Sequence, residues 1–334
     1  MEISRTSDAI ELDHEADIGV ARRRIGALAA SAGLDEARAG DAALIATELA
    51  TNVLRHARHG GVILGCVGDG EVRGVSVIAW DRGPGMNVDA CVRDGMSTAG
   101  TPGKGLGAVT RIATRWDAYT LPGKGCVIDS LIFPKYHVRK TQFDVGGVCL
   151  PYPGLQVCGD AWEIDLRAER ATLLVCDGLG HGDGAAEASQ AITRAFRDRP
   201  DGTPAQLLER LHGVARSTRG AAATIVQIDR NTREATIAAV GNVSAWIVGD
   251  QQRQLVTQHG TLGQATPRIR EERYPFPAGA LLVVTSDGLK SRIDLADHAG
   301  LRSCDPLTIA GVLWRDHARG RDDATAVVLR EVSA

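Results

Sequence analysis

Hydrophobic and polar positions recur with two different periods along the chain. In "DIGVARRRIGALAASAGL" Ile18, Ile25 and Leu28 return at helical spacing, and Gly33 supplies a stop signal. "DEARAGDAALIATELATNVLRHA" predicts a second helix, Ala-rich and free of proline, with Ile45, Leu49 and Val53 in one apolar row. "GVILGCVG" and "VRGVSVIAW" read as strands parted by the turn residues Asp69 and Gly70. "RWDAYTL" and "CVIDSLIF" read as a hairpin around "PGKG".

The second half reads differently. Strand-like runs fall at "LQVCGDAWEI", "ATLLVCD", "AAATIVQID", "EATIAAVG", "SAWIVG", "GALLVVTSD" and "DATAVVLR". Helical patterns fall at "GAAEASQAITRAFRD", "PAQLLERLHGVARS" and "DPLTIAGVLWRDHA". Many short strands with a few long helices predict a β-sandwich flanked by helices. The polar, basic stretch "PKYHVRKTQF" separates the halves, which predicts a first domain over 1–136, a linker over 137–144 and a second domain over 145–334.

Composition narrows the function. The 334 residues suffice for two domains, and 44% hydrophobic with 24% charged residues is ordinary for a globular protein. A net charge of −3 and 4% aromatics leave no basic footprint and few stacking platforms, so no nucleic-acid partner is expected. The acidic start "MEISRTSDAIELDHEAD" does not read as a signal peptide, and no apolar run approaches a membrane span, so a cytoplasmic protein without membrane contact is expected. Seven cysteines, none spaced C-x-x-C, read as free thiols.

On the second helix Glu48, Asn52 and His56 stand four apart and share one face. A carboxylate and a carboxamide one turn apart can hold Mg²⁺ and orient a nucleophile; alone, they also describe a solvated polar stripe. Downstream, "DRGPGM" closes a strand with Asp81, able to accept a hydrogen bond from an exocyclic amine, followed by Gly83 and Gly85. "GTPGKGLGAVTRI" then sets Gly103, Gly105 and Gly107 just before a helix, a pattern suited to phosphates.

These three pieces in this order resemble the GHKL ATP-binding fold in its small anti-sigma-factor kinase branch, the RsbT-like type, over residues from about 10 to 134. The resemblance implies an α/β sandwich with helices on one face of a mixed sheet. It implies that Asn52 holds Mg²⁺, that Asp81 reads adenine, and that Gly83, Gly85 and the run Gly103, Lys104, Gly105, Leu106, Gly107 enclose ATP. Glu48 becomes the candidate base that activates an acceptor hydroxyl. His14 reads as a surface residue rather than a phosphoacceptor.

In the second half, aspartates stand at or beside strand ends in "CGDAW", "CDGLG", "TSDGL" and "GRDDAT". Each Asp-Gly alone is compatible with a plain turn. Converging carboxylates would make a hard-cation site able to turn water against a phosphate ester. This half resembles the SpoIIE-type metal-dependent serine/threonine phosphatases, nearest the compact RsbX-like form. The fold implied is the α-β-β-α sandwich of the PPM phosphatases, making the whole chain α+β. Carry-over implies Mg²⁺ or Mn²⁺ held by Asp160, Asp177, the Gly178 carbonyl, Asp287 and Asp322, with Asp177 central to catalysis and Asp323 placed second. His181 would orient the glycine-rich loop, and "VGNVSAWI" would fit a central strand pair.

A kinase-like site joined to a phosphatase implies a regulator of one partner's phosphorylation. By resemblance the partner is a STAS-domain protein, of the anti-sigma-factor-antagonist kind, in a partner-switching or stress-signalling circuit. Three readings stay open: a bifunctional kinase and phosphatase, a phosphatase with an ATP-sensing or docking half, and a non-catalytic binder.

Overall fold

The computed structural model describes residues 5–57, 59–69, 72–92, 105–139, 141–264 and 268–332. The chain divides into two compact units, Met1–Lys140 and Thr141–Ala334.

The first unit runs β1 (Asp8–Glu11), α1 (Glu15–Ser31), α2 (Glu36–His56), β2 (Gly60–Asp69), β3 (Val72–Asp81), a short α3 (Val88–Val92), α4 (Gly105–Ile112), β4 (Arg115–Thr120) and β5 (Cys126–Ile132). Gly33 ends α1 as its position suggested. With φ at 78° it donates to Ala30 O, while the Leu34 amide reaches back to Ala29 O, so two carbonyls of the last turn are satisfied. Asp35 caps α2 by accepting the Arg38 amide at 2.7 Å. The four-residue β1, too short for its alternation to register as a strand pattern, pairs with β2 along the sheet edge.

The sheet order is β1-β2-β3-β5-β4. Every ladder in it is antiparallel, which corrects the expected mixed sheet. The connection from β3 lays β4 one place too far out, and the hairpin back through Gly123 and Gly125 fills the gap with β5. Ile25 of α1 and Ile45, Leu49 and Val53 of α2 are buried with Val62, Leu64, Val75, Val77, Ala79 and Ile128 of the sheet in one core. Arg38 ties α2 to the far side of this unit: its guanidinium donates to Phe133 O at 2.8 Å, Ile112 O at 3.0 Å and Thr114 Oγ1 at 2.9 Å, and pairs with Asp41.

The second unit runs β6 (Phe143–Leu150), β7 (Asp160–Leu166), β8 (Arg170–Gly178), α5 (Asp183–Asp198), α6 (Pro204–Ala215), β9 (Ala221–Asp229), β10 (Glu234–Val240), β11 (Ser244–Val248), β12 (Gln252–Gln254), β13 (Glu272–Pro275), β14 (Leu281–Thr285), α7 (Pro306–His317) and β15 (Ala324–Glu331). Phe143 and Asp144, assigned to the linker from sequence, are the first residues of β6, because Phe143 is buried in the core. Residues 155–159 of the "LQVCGDAWEI" run lie outside the strand, which starts only at Asp160.

Two five-stranded antiparallel sheets, β13-β10-β9-β8-β7 and β12-β11-β14-β15-β6, bury a common core containing Trp162, Leu173, Val175, Val284, Val327 and Leu329. Ile192 and Phe196 of α5 and Leu207, Leu208 and Leu211 of α6 pack with Leu174 and Cys176 on the outside of the first sheet, and α7 packs on β6 and β15 of the second. The result is the expected α-β-β-α sandwich. "VGNVSAWI" does not form a strand pair within one sheet; it carries the chain from β10 in one sheet to β11 in the other.

Candidate metal centre and nucleotide site

Strand alternation decides where the aspartates of the second unit point. On β8, Leu173 and Val175 face the core between the sheets, so Asp177 continues that inner face at the strand end. Trp162 does the same for Asp160 on β7, and Val327 and Leu329 for Asp323, just before β15. Asp160 and Asp177 are Cα partners across the β7–β8 ladder.

Asp160 is 2% exposed, and neither of its carboxylate oxygens makes a well-formed hydrogen bond, the hydroxyls of Ser286 and Thr325 being the donors that bear on it. Burial pushes its carboxyl up to about 7, the hydroxyls of Ser286 and Thr325 pull the other way, and the charges of Asp323 and Asp287 add to the rise. Burial pushes Asp177 up to about 9, reinforced by the negative charges of Asp160, Asp287, Asp322 and Asp323. Asp287 and Asp323 are raised too, in each case first by burial. Five carboxylates from four separate stretches of sequence thus act on one another at one edge of the sandwich. A buried carboxylate among like charges is costly unless a cation joins it, so these residues fit a divalent metal of the hard, oxygen-binding class.

The neighbouring aspartates 322 and 323 differ in employment. Asp323 is 2% exposed and its Oδ1 accepts the Tyr152 amide at 2.8 Å. Asp322 is only partly buried and accepts the Asp323 amide at 3.0 Å. Asn242, in the β10–β11 turn, donates from Nδ2 to Asp287 Oδ2 at 2.6 Å. Sequence reasoning gave Asn242 no such role; an Asn immediately after Gly241 at the end of an apolar strand was its only signal. His181 is exposed on the loop after β8, its ring 4.9 Å from that of Tyr152.

The dense glycines of "CDGLGHGDGAAEAS" have separate causes. A Cβ on Gly178 would lie 2.1 Å from Ala185 O, so only glycine lets α5 start against the strand. Gly180 and Gly182 hold φ of 80° and 75° in the left-handed region.

In the first unit, two of the pieces read from sequence come together. A Cβ on Gly105, the first residue of α4, would lie 3.5 Å from Glu48 Oε2 and from both terminal atoms of Asn52. The start of α4 therefore abuts the Glu48–Asn52 face of α2, while His56 is exposed one turn further on. Asp81 ends β3 on the sheet face that α2 covers, and its Oδ1 accepts the Gly83 amide at 2.7 Å. Gly85 holds φ of 80°, and a Cβ there would lie 2.7 Å from Leu121 O. Leu106 and Gly107 are buried in α4. Gly103 and Lys104, the rest of the expected phosphate cover, lie outside the described residues. His14 stands at the start of α1, exposed, its amide donating to Asp17 Oδ2 at 2.8 Å. Among the described residues no helix is long and apolar enough to cross a membrane.

Residues 167–331 match the family model of Stage II sporulation protein E (SpoIIE), and residues 11–128 match that of the histidine kinase-like ATPase domain. The chain is 25% identical over 138 residues to the phosphoserine phosphatase RsbX of Bacillus subtilis (strain 168), a match covering 41% of this chain and 69% of that protein. It is 33% identical over 86 residues to the serine/threonine-protein kinase RsbT of the same organism, covering 25% of this chain and 65% of the kinase, just short of two thirds of its length. A crystal structure of RsbX in complex with magnesium has the same fold over 58% of this chain and 98% of that one, with a TM-score of 0.51 at 21% identity.

Proposed function

We propose that this chain, a histidine kinase-like ATPase domain followed by a SpoIIE phosphatase domain, sets the phosphorylation of a partner protein in a partner-switching circuit. Its second half removes phosphate from phosphoserine or phosphothreonine, and its first half uses ATP to add it. The substrate proposed is a STAS-domain protein.

The observation that carries the phosphatase reading is the buried Asp160 carboxylate facing Asp177 in a cluster of five acids. Asp160, Asp177, the Gly178 carbonyl, Asp287 and Asp322 would hold Mg²⁺ or Mn²⁺, which supplies charge neutralisation for the phosphate and an acidified water. Asn242 orients Asp287, and Tyr152 keeps Asp323 turned inward as a support behind the ligands. RsbX crystallised with magnesium supports Mg²⁺ as one occupant.

The ATPase half is supported by Glu48 and Asn52 abutting the start of α4, with Asp81 held at the end of β3. Asn52 would hold Mg²⁺, Asp81 would accept from adenine, and Glu48 would take the proton of the acceptor hydroxyl as the γ-phosphate moves. The test is a STAS-domain protein phosphorylated on serine, incubated with the full chain and Mn²⁺. Release of phosphate that stops with a chelator and is missing in Asp177→Asn is the expected result; release unaffected by either removes the metal-site reading.

A further inference from the structure

Arg219 is exposed on the turn between α6 and β9, yet its side chain lies over the loop that follows β8. Its NH1 donates to Leu179 O at 3.1 Å. The same turn takes the other side of Leu179, whose amide donates to Gly220 O at 3.0 Å. Both backbone polar groups of Leu179 are thus held by two adjacent residues. The turn itself is braced: Gly220 holds φ of 93°, its amide donates to Thr218 Oγ1 at 3.1 Å, and Gln264 Nε2 donates to Arg219 O at 3.2 Å.

The consequence falls on Gly178. A trans peptide is planar, so its C=O and the next N–H point in opposite directions. With the Leu179 amide drawn to Gly220 on the β9 side, the Gly178 carbonyl is sent to the β7 side, where Asp160 stands. There Gly178 pairs with Gly159 through its own amide, at 3.1 Å, and Gly159 lies against Asp323, a Cβ there falling 2.6 Å from Asp323 Oδ2. The next peptide could otherwise rotate, because Gly180 sits at φ of 80° and restrains nothing. Arg219 restrains it through Leu179 O. Gly184 completes the arrangement: a Cβ there would lie 2.6 Å from Arg219 NH2 and 2.7 Å from its Cζ, so the guanidinium occupies the space of a missing side chain.

We propose that Arg219 is a positioning residue for the metal centre, a latch on Leu179 that aims the Gly178 carbonyl and that Gly184 exists to admit. This rests on the metal-site reading above, and the experiment separates the two. Hydrogen exchange of the metal-free full chain is compared with that of Arg219→Ala, reading the peptide 177–184, and Mn²⁺ affinity is measured by calorimetry. Faster exchange in 177–184 with the rest of the chain unchanged is expected, together with Mn²⁺ binding weakened about tenfold, the scale seen when supporting partners of metal ligands are removed. Gly184→Ala, which displaces the guanidinium without removing its charge, should weaken Mn²⁺ to a similar degree, and the double variant should be no worse than either single one. Unchanged exchange in 177–184 overturns the latch whether or not the wild type binds Mn²⁺. Unchanged Mn²⁺ affinity with a raised KM for a phosphorylated protein overturns it in favour of substrate contact. Wild-type chain that binds no Mn²⁺ sinks the metal site, and with it the role given to Gly178.

Discussion

Asp160 and Asp177 face each other across the β7–β8 ladder, at positions where directly opposed like charges destabilise a sheet. Both carboxyls are pushed up, first by burial and then by neighbouring carboxylates. The metal-free site is therefore a stored cost in the fold, and removing one charge should relieve it. Asp177→Asn is expected to raise the melting temperature of the metal-free protein, by about 2–4 °C for each kcal/mol relieved in a unit of this size, while abolishing the further rise that Mn²⁺ gives the wild type. A scanning calorimetry trace in which the variant melts lower than wild type in chelator would contradict this account.

The same pair sets a pH dependence. A carboxyl whose folded value exceeds its unfolded one keeps its proton longer in the folded state, so the folded state binds more protons and stability falls as pH rises. The window opens near the ordinary value of 3.8 and extends to about 7 for Asp160 and about 9 for Asp177. In chelator, melting temperature should fall between pH 5 and pH 8.5, and the increment added by Mg²⁺ should grow over that range. A metal increment that shrinks with pH would show that these two carboxyls are not what the cation neutralises.

Nucleotide binding divides between two residues. Asp81→Asn should weaken ATP and ADP alike, because both carry the adenine it would accept from. Asn52→Ala should weaken nucleotide mainly when Mg²⁺ is present. Calorimetric titration with and without Mg²⁺ checks both; equal loss of affinity for Asn52→Ala in chelator would take Asn52 away from the metal.

Glu48 separates kinase from sensor. In the Asp177→Asn background, where product is not erased, Glu48→Gln should keep ATP affinity and slow transfer to a STAS-domain protein by about 10²–10⁴-fold. Transfer at the rate of Asp177→Asn alone would refute the base assignment. No transfer from Asp177→Asn itself would favour a half that senses ATP without using it.

Arg38 is the structural counterpart to these sites. Arg38→Ala strips donors from two backbone carbonyls and from the Thr114 hydroxyl, which keeps the Phe133 amide; the loss should cost about 2–6 kcal/mol at roughly 1–3 kcal/mol for each of the two carbonyls. The calorimetric transition that ATP shifts upward reports this unit; finding it unmoved in the variant would show that the three bonds do not support α2.

Local patterns in the sequence determined the longer helices, most strands and the candidate residues themselves, while the five-residue α3 was too short to show a period. Gly33 ends α1 and Asp35 begins α2 through hydrogen bonds within a few residues, so their chemistry is legible without a fold. The apolar runs ending in Asp177 and Asp287 likewise announce strands with acidic ends. What no spacing contains is pairing. That β5 enters between β3 and β4, and that β10 and β11 lie in different sheets, depends on which strands find each other across long stretches of chain. The tertiary structure alone set Asp160 opposite Asp177, gave Asn242 to Asp287, and turned Asp323 to the Tyr152 amide while leaving Asp322 partly exposed. It also brought Arg219 over a loop some 40 positions away, which gives Gly184 a reason the sequence could not supply. Covalent neighbours dictate backbone preference, but burial, opposed charge and close approach arise only where distant segments share a volume.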